Sequence, residues 1–123
     1  MSPVRVLLVE DNDMFRETLQ LVFGLRDEVE VVGSVSSGYD APALASELAP
    51  DVVLVDYRMP GLNGAEAARE VLAACPRTRV VCLTASVTAE EAEEVLAAGA
   101  VACVTKDGNF DRLVQVVCEA AAA

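Results

Sequence analysis

Five short apolar runs, all rich in valine, recur along the chain at regular spacing. They span residues 4–9, 29–32, 52–55, 80–83 and 101–104. Four of them are almost continuously apolar, as expected of strands that are buried on both faces of a sheet. The second run alternates glutamate with valine from Glu28 to Val31, which is typical of an edge strand with one wetter face. The pattern therefore predicts five strands, with the second at an edge.

Segments with helical periodicity follow each of these runs. In each segment the apolar residues recur at helical spacing, which gives one apolar face. The faces comprise Phe15, Leu19, Val22 and Phe23; Ala41, Leu44, Ala45 and Leu48; Ala65, Ala68 and Leu72; Ala92, Val95 and Leu96; and Phe110, Leu113, Val114, Val117 and Ala121. Asn63 with Glu66, and Thr88 with Glu91, predict capping boxes for the third and fourth helices. Gly99 lies where a C-terminal cap of the fourth helix is expected.

Strand and helix thus alternate five times, with short loops between them. This order is typical of a doubly wound α/β domain built on a parallel sheet. The 123 residues suffice for one domain with a real core and are too few for two. We therefore expect a single domain over residues 1–123.

Composition and charge exclude several classes of function. A hydrophobic share of 54% excludes a disordered chain, and a net charge of −11 argues against direct binding of nucleic acid or an anionic membrane. No apolar run approaches the roughly 20 residues that span a bilayer, and the start of the chain has no signal-peptide pattern. The four cysteines show no C-x-x-C spacing and the chain has no histidine, so a zinc site is not expected. We expect reduced, buried thiols in a cytoplasmic protein.

Polar residues follow four of the five predicted strands. Glu10 and Asp11 come after the first, Asp56 ends the third, Thr84 ends the fourth, and Lys106 follows the fifth by two residues. Each alone has an ordinary explanation, since aspartate and threonine often cap helices and a loop lysine is usually solvated. In an open parallel sheet, however, ligands bind beyond the carboxyl ends of the strands. The sequence therefore predicts one polar site at this edge.

The residue types at this edge favour phosphoryl transfer. Three carboxylates repel one another unless a cation joins them, and a hard cation with oxygen ligands, most simply Mg²⁺, answers that repulsion. Lys106 is the only lysine among nine basic residues, which makes a chance placement less plausible. A carboxylate nucleophile beside Mg²⁺, an ammonium and the Thr84 hydroxyl suits transfer of a phosphoryl group to the carboxylate. No phosphate-binding glycine loop supports nucleotide binding.

Five motifs in order resemble the receiver domain of response regulators, over residues 4–121. They are Leu7-Leu8-Val9-Glu10-Asp11, Val55-Asp56-Tyr57-Arg58-Met59-Pro60-Gly61-Leu62-Asn63-Gly64, Leu83-Thr84-Ala85, Ala98-Gly99-Ala100 and Lys106-Asp107-Gly108. The Arg-Met-Pro-Gly run and the Lys-Asp-Gly ending are most similar to receivers of LuxR/NarL-type transcription regulators. The resemblance implies a flavodoxin-like (CheY-like) (βα)₅ fold with the strand order 2-1-3-4-5.

The resemblance also implies a role for each residue of the site. Asp56 would accept a phosphoryl group from the phosphohistidine of a sensor histidine kinase. Asp11 and Asp56 would bind Mg²⁺ directly, Glu10 mainly through water, and Arg58 through its main-chain carbonyl. Thr84 would be the switch hydroxyl, and Lys106 would contact the phosphoryl group.

The partners implied are the sensor kinase, a second copy of the chain on activation, and a DNA-binding output domain in a longer chain. Such a domain is a signalling switch with at most weak self-dephosphorylating chemistry, not a metabolic enzyme. Two departures from the family pattern are visible: Asp107 stands where proline is usual, and Cys103 stands where the family places a rotating tyrosine or phenylalanine.

Two other functions compete with the phosphoacceptor. A Mg²⁺-dependent aspartyl phosphatase would need an acid two residues after the nucleophile, where this chain has Arg58. A pseudo-receiver, acting only as an interaction module, would not need all the site positions filled with competent residues, as they are here.

Overall fold

One parallel sheet of five strands organises the molecule, and the computed structural model describes residues 2–86 and 88–123. The elements in chain order are β1 Val4–Val9, α1 Asp13–Gly24, β2 Val29–Val35, α2 Ala41–Leu48, β3 Val52–Asp56, α3 Gly64–Ala74, β4 Arg79–Thr84, α4 Ala89–Ala97, β5 Ala102–Thr105 and α5 Phe110–Ala122. The strand order is β2-β1-β3-β4-β5 and every pairing is parallel. The predicted fold class and strand order are confirmed, with β2 at an edge.

Helices cover both faces of the sheet, which explains the nearly continuous apolar strands. Successive residues of a strand point to opposite faces. In β1, Leu7 and Val9 therefore pack with α2, α3 and α4, whereas Val6 and Leu8 pack with α1 and α5. No helix in residues 2–86 and 88–123 has the length and apolar character that a membrane crossing requires.

The ends of the strands differ from the apolar runs that predicted them. β2 continues to Val35, because its pairing with β1 shifts register after Val6 and then aligns Leu7 with Gly33. A Cβ on Gly33 would lie 2.7 Å from Leu48 Cδ1, so a glycine here allows α2 to pack close to the strand. β5 begins at Ala102, and Val101 is 44% exposed although it is apolar. Backbone pairing, not side-chain polarity, sets these boundaries.

The predicted caps of α3 and α4 have different outcomes. At α3 the Asn63 side chain accepts from the Glu66 amide and the Glu66 side chain accepts from the Asn63 amide, so the capping box is confirmed. At α4 the Thr88 hydroxyl accepts from the Glu91 amide, but the Glu91 carboxylate pairs with Arg58 instead. The prediction of a full capping box at Thr88 was therefore wrong in its second half.

Gly99 ends α4 as predicted. Its φ of +107° lies in a region that residues with a side chain rarely adopt. The Gly99 amide donates to Leu96 O at 3.0 Å and the Ala100 amide donates to Val95 O at 3.0 Å. These two bonds form the Schellman motif, which turns the chain from α4 into β5.

The cysteines are all free, but only one is fully buried. Cys82 is buried in β4, and its register partner in β5 is Cys103. Cys75, Cys103 and Cys118 are each partly exposed. The expectation that all four thiols are buried was therefore wrong for three of them: Cys75 ends α3, Cys103 lies on the edge strand β5, and Cys118 lies on α5.

Candidate functional site

An acidic cluster lies at the carboxyl ends of β1 and β3. Glu10, Asp11 and Asp56 each offer a carboxylate oxygen, and these oxygens lie within 4.8 Å of one another. Glu10 and Asp56 are only 2% and 4% exposed, whereas Asp11 is half-buried. The parallel pairing of β1 with β3 places the two strand ends side by side, as the topology predicts. The three predicted acids are therefore brought together.

Lys106 completes the cluster from the end of β5. Its ammonium Nζ lies 2.6 Å from Glu10 Oε1 and 3.3 Å from Asp56 Oδ1. The Lys106 amide donates to Thr84 O at 2.7 Å, which fixes the backbone of this loop beside β4. The residue pattern predicted that a metal compensates the three acids, whereas the Lys106 ammonium already contacts two of them and compensates one negative charge. Three ionised carboxylates and one ammonium still leave two negative charges.

The start of α1 holds Glu10 and Lys106 in place. The Asn12 amide donates to Glu10 Oε2 at 3.1 Å, and Arg16 Nη1 donates to Glu10 O at 2.8 Å. The Lys106 Nζ lies 4.6 Å from the centre of the Phe15 ring, within the range of a cation–π contact. Sequence reasoning missed these three residues. Asn12 had a readable signal as an N-cap, while Phe15 was assigned only to the apolar face of α1.

The surroundings of Asp56 change its pKa. Burial, followed by the hydrogen bond with Glu10 and the charge of Glu10, raises the pKa of Asp56 to about 7. The Lys106 ammonium acts in the opposite direction and lowers this pKa. The cluster therefore binds a proton readily near neutral pH when nothing else neutralises it.

The backbone after Asp56 is held on two sides. The Tyr57 amide donates to Leu83 O at 2.8 Å, and the Gly64 amide donates to Tyr57 O at 2.7 Å. A Cβ on Gly64 would lie 2.7 Å from the Tyr57 Cα and 3.0 Å from Asp56 O. Only a glycine at this position lets α3 begin directly against the end of β3.

Thr84 and the Arg58 side chain lie at the same edge but outside the acidic cluster. Thr84 ends β4, is fully buried, and donates its hydroxyl to Ser86 O at 3.2 Å. Within the described residues this hydroxyl makes no hydrogen bond to the cluster. The Arg58 side chain is exposed and points to α4, where its Nη2 lies 2.6 Å from Glu91 Oε1.

Tyr57 makes a second contact from the same loop to α4. Its hydroxyl donates to Glu94 Oε2 at 2.9 Å. Burial, followed by the hydrogen bond with Glu94, raises the pKa of Tyr57 to about 12. No sequence pattern signals either contact, because residues 33 or more positions apart meet only through the fold.

Comparison with known proteins shows the family to which the chain belongs. A family model described as the response regulator receiver domain matches residues 6–118. The chain belongs to this family. It is 36% identical over 118 residues to the uncharacterized transcriptional regulatory protein YxjL of Bacillus subtilis, and the match covers 96% of the chain and 54% of YxjL. The chain spans about half the length of the curated relatives it matches.

Two solved structures are also similar to this receiver. The signal receiver domain of the putative response regulator NarL from Mycobacterium tuberculosis has a TM-score of 0.94 and 33% identity, covering 100% of this chain and 99% of that one. A LuxR-family response regulator from Aurantimonas sp. SI85-9A1 has a TM-score of 0.92 and 30% identity, covering 98% and 86%. The predicted membership, with its similarity to the LuxR/NarL type, is confirmed, and a receiver domain is a signalling domain.

Proposed function

We propose that this receiver accepts a phosphoryl group on Asp56 from the phosphohistidine of a sensor histidine kinase, with Mg²⁺ bound beside it. One observation carries the proposal. The carboxylate of Asp56 lies in reach of two further acids and 3.3 Å from the Lys106 ammonium. This arrangement combines a carboxylate nucleophile with groups that can neutralise an incoming anion.

The donor set fits a magnesium ion. Hard divalent cations take carboxylate and carbonyl oxygens, and the cluster keeps two negative charges after pairing with Lys106. Asp11 and Asp56 would hold the ion directly, Arg58 would hold it through its main-chain carbonyl, and Glu10 would act mainly through water. The ion pair between Glu10 and Lys106 supports this indirect role for Glu10. When bound, the ion neutralises charge on the phosphoryl oxygens.

The chain's own residues account for the transfer. An Asp56 carboxylate oxygen attacks phosphorus, the bond between phosphorus and the histidine nitrogen breaks, and its electron pair stays on the imidazole. The Lys106 ammonium then meets a phosphoryl oxygen in place of part of its contact with Asp56. The Thr84 hydroxyl leaves Ser86 O to donate to another phosphoryl oxygen, which makes Thr84 the residue that reports phosphorylation.

In this proposal the receiver is one domain of a larger protein, and another domain produces the response to phosphorylation. YxjL is named a transcriptional regulatory protein and is about twice the length matched here. We infer a longer chain in which residues 1–123 form the receiver, a separate domain binds DNA, and activation favours a dimer. The protein would act in the cytoplasm, where sensor kinases present their phosphohistidine.

The competing functions fit the geometry less well. A phosphatase needs a general acid two residues after Asp56, and Arg58 at that position pairs with Glu91. A pseudo-receiver does not need an acidic cluster with a lysine aimed into it, and this chain has both. Neither alternative is therefore favoured.

Labelling with a small acyl phosphate, such as acetyl phosphate, tests the proposal. Intact-mass measurement should show one phosphoryl adduct on the wild type, none on Asp56→Asn, and the normal adduct on the control Asp40→Asn, which changes an exposed aspartate. Excess EDTA should abolish the adduct on the wild type. An undiminished adduct on Asp56→Asn would exclude Asp56 as the acceptor, and full labelling in EDTA would exclude the metal.

A further inference from the structure

Helix α4 is attached to the rest of the domain by few apolar contacts. Of the described helix Ala89–Ala97 only Val95 is fully buried, whereas α3 buries five residues and α5 buries four. Side chains of glutamate supply much of the remaining surface of α4. Its position therefore depends strongly on the polar contacts that it makes.

Two of those polar contacts come from the two residues that follow the phosphoacceptor. The Tyr57 hydroxyl donates to Glu94 Oε2 at 2.9 Å, and Arg58 Nη2 lies 2.6 Å from Glu91 Oε1. Glu91 and Glu94 are three positions apart on the helix, so they lie on the same face of α4. The loop after Asp56 thus contacts α4 twice on one face.

Hydrogen bonds restrain the backbone between Asp56 and these side chains. Hydrogen bonds to Leu83 O and from the Gly64 amide hold Tyr57 on both sides. Because this loop is restrained, we expect a change in charge and in ligands at Asp56 to move Tyr57 and Arg58 instead of being taken up by the loop.

Cys103 leaves no large side chain on β5 whose rotation could couple Asp56 to α4. The small thiol occupies the position next to β4 where an aromatic ring would be expected from the family resemblance, and it is paired in register with Cys82. The Glu91 side chain is 16% exposed, and its Oε2 is buried without a hydrogen-bond partner among the described residues. Burial raises the pKa of the Cys103 thiol, and the hydrogen bond with Cys82 acts in the opposite direction.

We propose that Tyr57 and Arg58 are positioning residues that couple the state of Asp56 to helix α4 through Glu94 and Glu91. Phosphorylation changes the loop that carries both side chains, and their two contacts with α4 shift together. α4 then moves because little apolar packing opposes it. The proposal rests on the proposed function, since it takes phosphorylation of Asp56 as the input.

The test compares the wild type with the variant Tyr57→Phe/Glu91→Ala and with a control, Tyr39→Phe/Glu93→Ala. The control removes one exposed tyrosine hydroxyl and one exposed glutamate of α4. Tyr57→Phe alone removes a single hydroxyl and serves where the double variant does not fold. Amide chemical shifts are recorded with and without beryllofluoride and Mg²⁺, and amide hydrogen exchange of α4 is recorded without either.

In the wild type and the control, beryllofluoride should shift the amides of both the acidic cluster and α4. In Tyr57→Phe/Glu91→Ala the shifts around Lys106 should persist, while those of α4 should fall about twofold or more. In the absence of beryllofluoride and Mg²⁺, the α4 amides of this variant should also exchange faster than those of the control. Unchanged α4 shifts in the variant would overturn this proposal alone. No response of the wild-type cluster would overturn the proposed function and this proposal with it.

Discussion

Asp56 is a carboxyl group whose surroundings favour the neutral form. Burial and the nearby Glu10 carboxylate both act in this direction, and the Lys106 ammonium offsets only part of their effect. Its pKa is raised from 3.8 to about 7. The same features that destabilise the ionised carboxylate make the site ready for a cation, since each added positive charge relieves the repulsion.

This raised pKa predicts a pH-dependent stability in EDTA. Between about pH 4 and pH 7 Asp56 is ionised in the unfolded chain but protonated in much of the folded chain. The free energy of unfolding therefore falls as pH rises, and it levels off above the folded-state pKa. A tenfold difference in acidity between the folded and unfolded states corresponds to about 1.4 kcal/mol, which gives an upper limit of a few kcal/mol. Urea denaturation from pH 4.5 to pH 8 should show Asp56→Asn gaining stability over the wild type as pH rises.

Other carboxyl groups titrate in the same range, so the measured quantity is the difference between the two proteins. Asp40→Asn should track the wild type across the range, because Asp40 is exposed. A difference between Asp56→Asn and the wild type that stays constant with pH would contradict the raised pKa.

At the scale of elements, the sequence predicted which segments form strands and helices better than it predicted where they end. Continuous valine runs predicted β1, β3 and β4 because both faces of these strands are buried. The end of β2 was missed because Gly33 and Ser34 interrupt the apolar pattern while the backbone continues to pair. Local caps were readable, except where Glu91 pairs with Arg58 across the fold instead of with its own helix.

The candidate site followed from topology for the same reason. Parallel strands bring their carboxyl ends to one edge, so Glu10, Asp11 and Asp56 could be placed together from the sequence alone. The ion pair between Lys106 and Glu10 and the contact with Phe15 could not, because side-chain reach and ring orientation leave no periodic signal.

Gly64 links two elements at the site, and its replacement should be costly. A Cβ would lie 2.7 Å from the backbone of Tyr57, which cannot move aside as a flexible side chain would. We expect Gly64→Ala to lower the free energy of unfolding by about 1–3 kcal/mol through overpacking. Gly24→Ala, at the end of α1, is the matched control because a Cβ there meets nothing within 4 Å.

Urea denaturation of both variants measures this effect. Gly24→Ala should be neutral or stabilising by up to about 1 kcal/mol, since alanine has the higher helix propensity. Equal stability of Gly64→Ala and Gly24→Ala would show that α3 and the loop after Asp56 are not packed as closely as the structure indicates.

At the scale of the whole molecule, the acidic cluster belongs to a strongly acidic protein. The chain has 20 acidic and 9 basic residues, for a net charge of −11. Repulsion among so many negative charges destabilises the compact state, and any salt reduces it by screening. Stabilisation by MgCl₂ is therefore not in itself evidence of a magnesium site, and the specific part has to be separated from the general one.

Comparison at matched ionic strength separates the two contributions. At pH 8, where Asp56 is ionised, a ligand that binds only the folded chain at ten times its Kd adds about 1.4 kcal/mol to the free energy of unfolding. We expect MgCl₂ to stabilise the wild type by this excess over NaCl. Asp11→Asn should lose the excess and keep the screening effect, because it removes one carboxylate of the cluster and only one of 20 acids. Equal stabilisation by the two salts, or an excess that survives Asp11→Asn, would place the effect of Mg²⁺ outside the cluster.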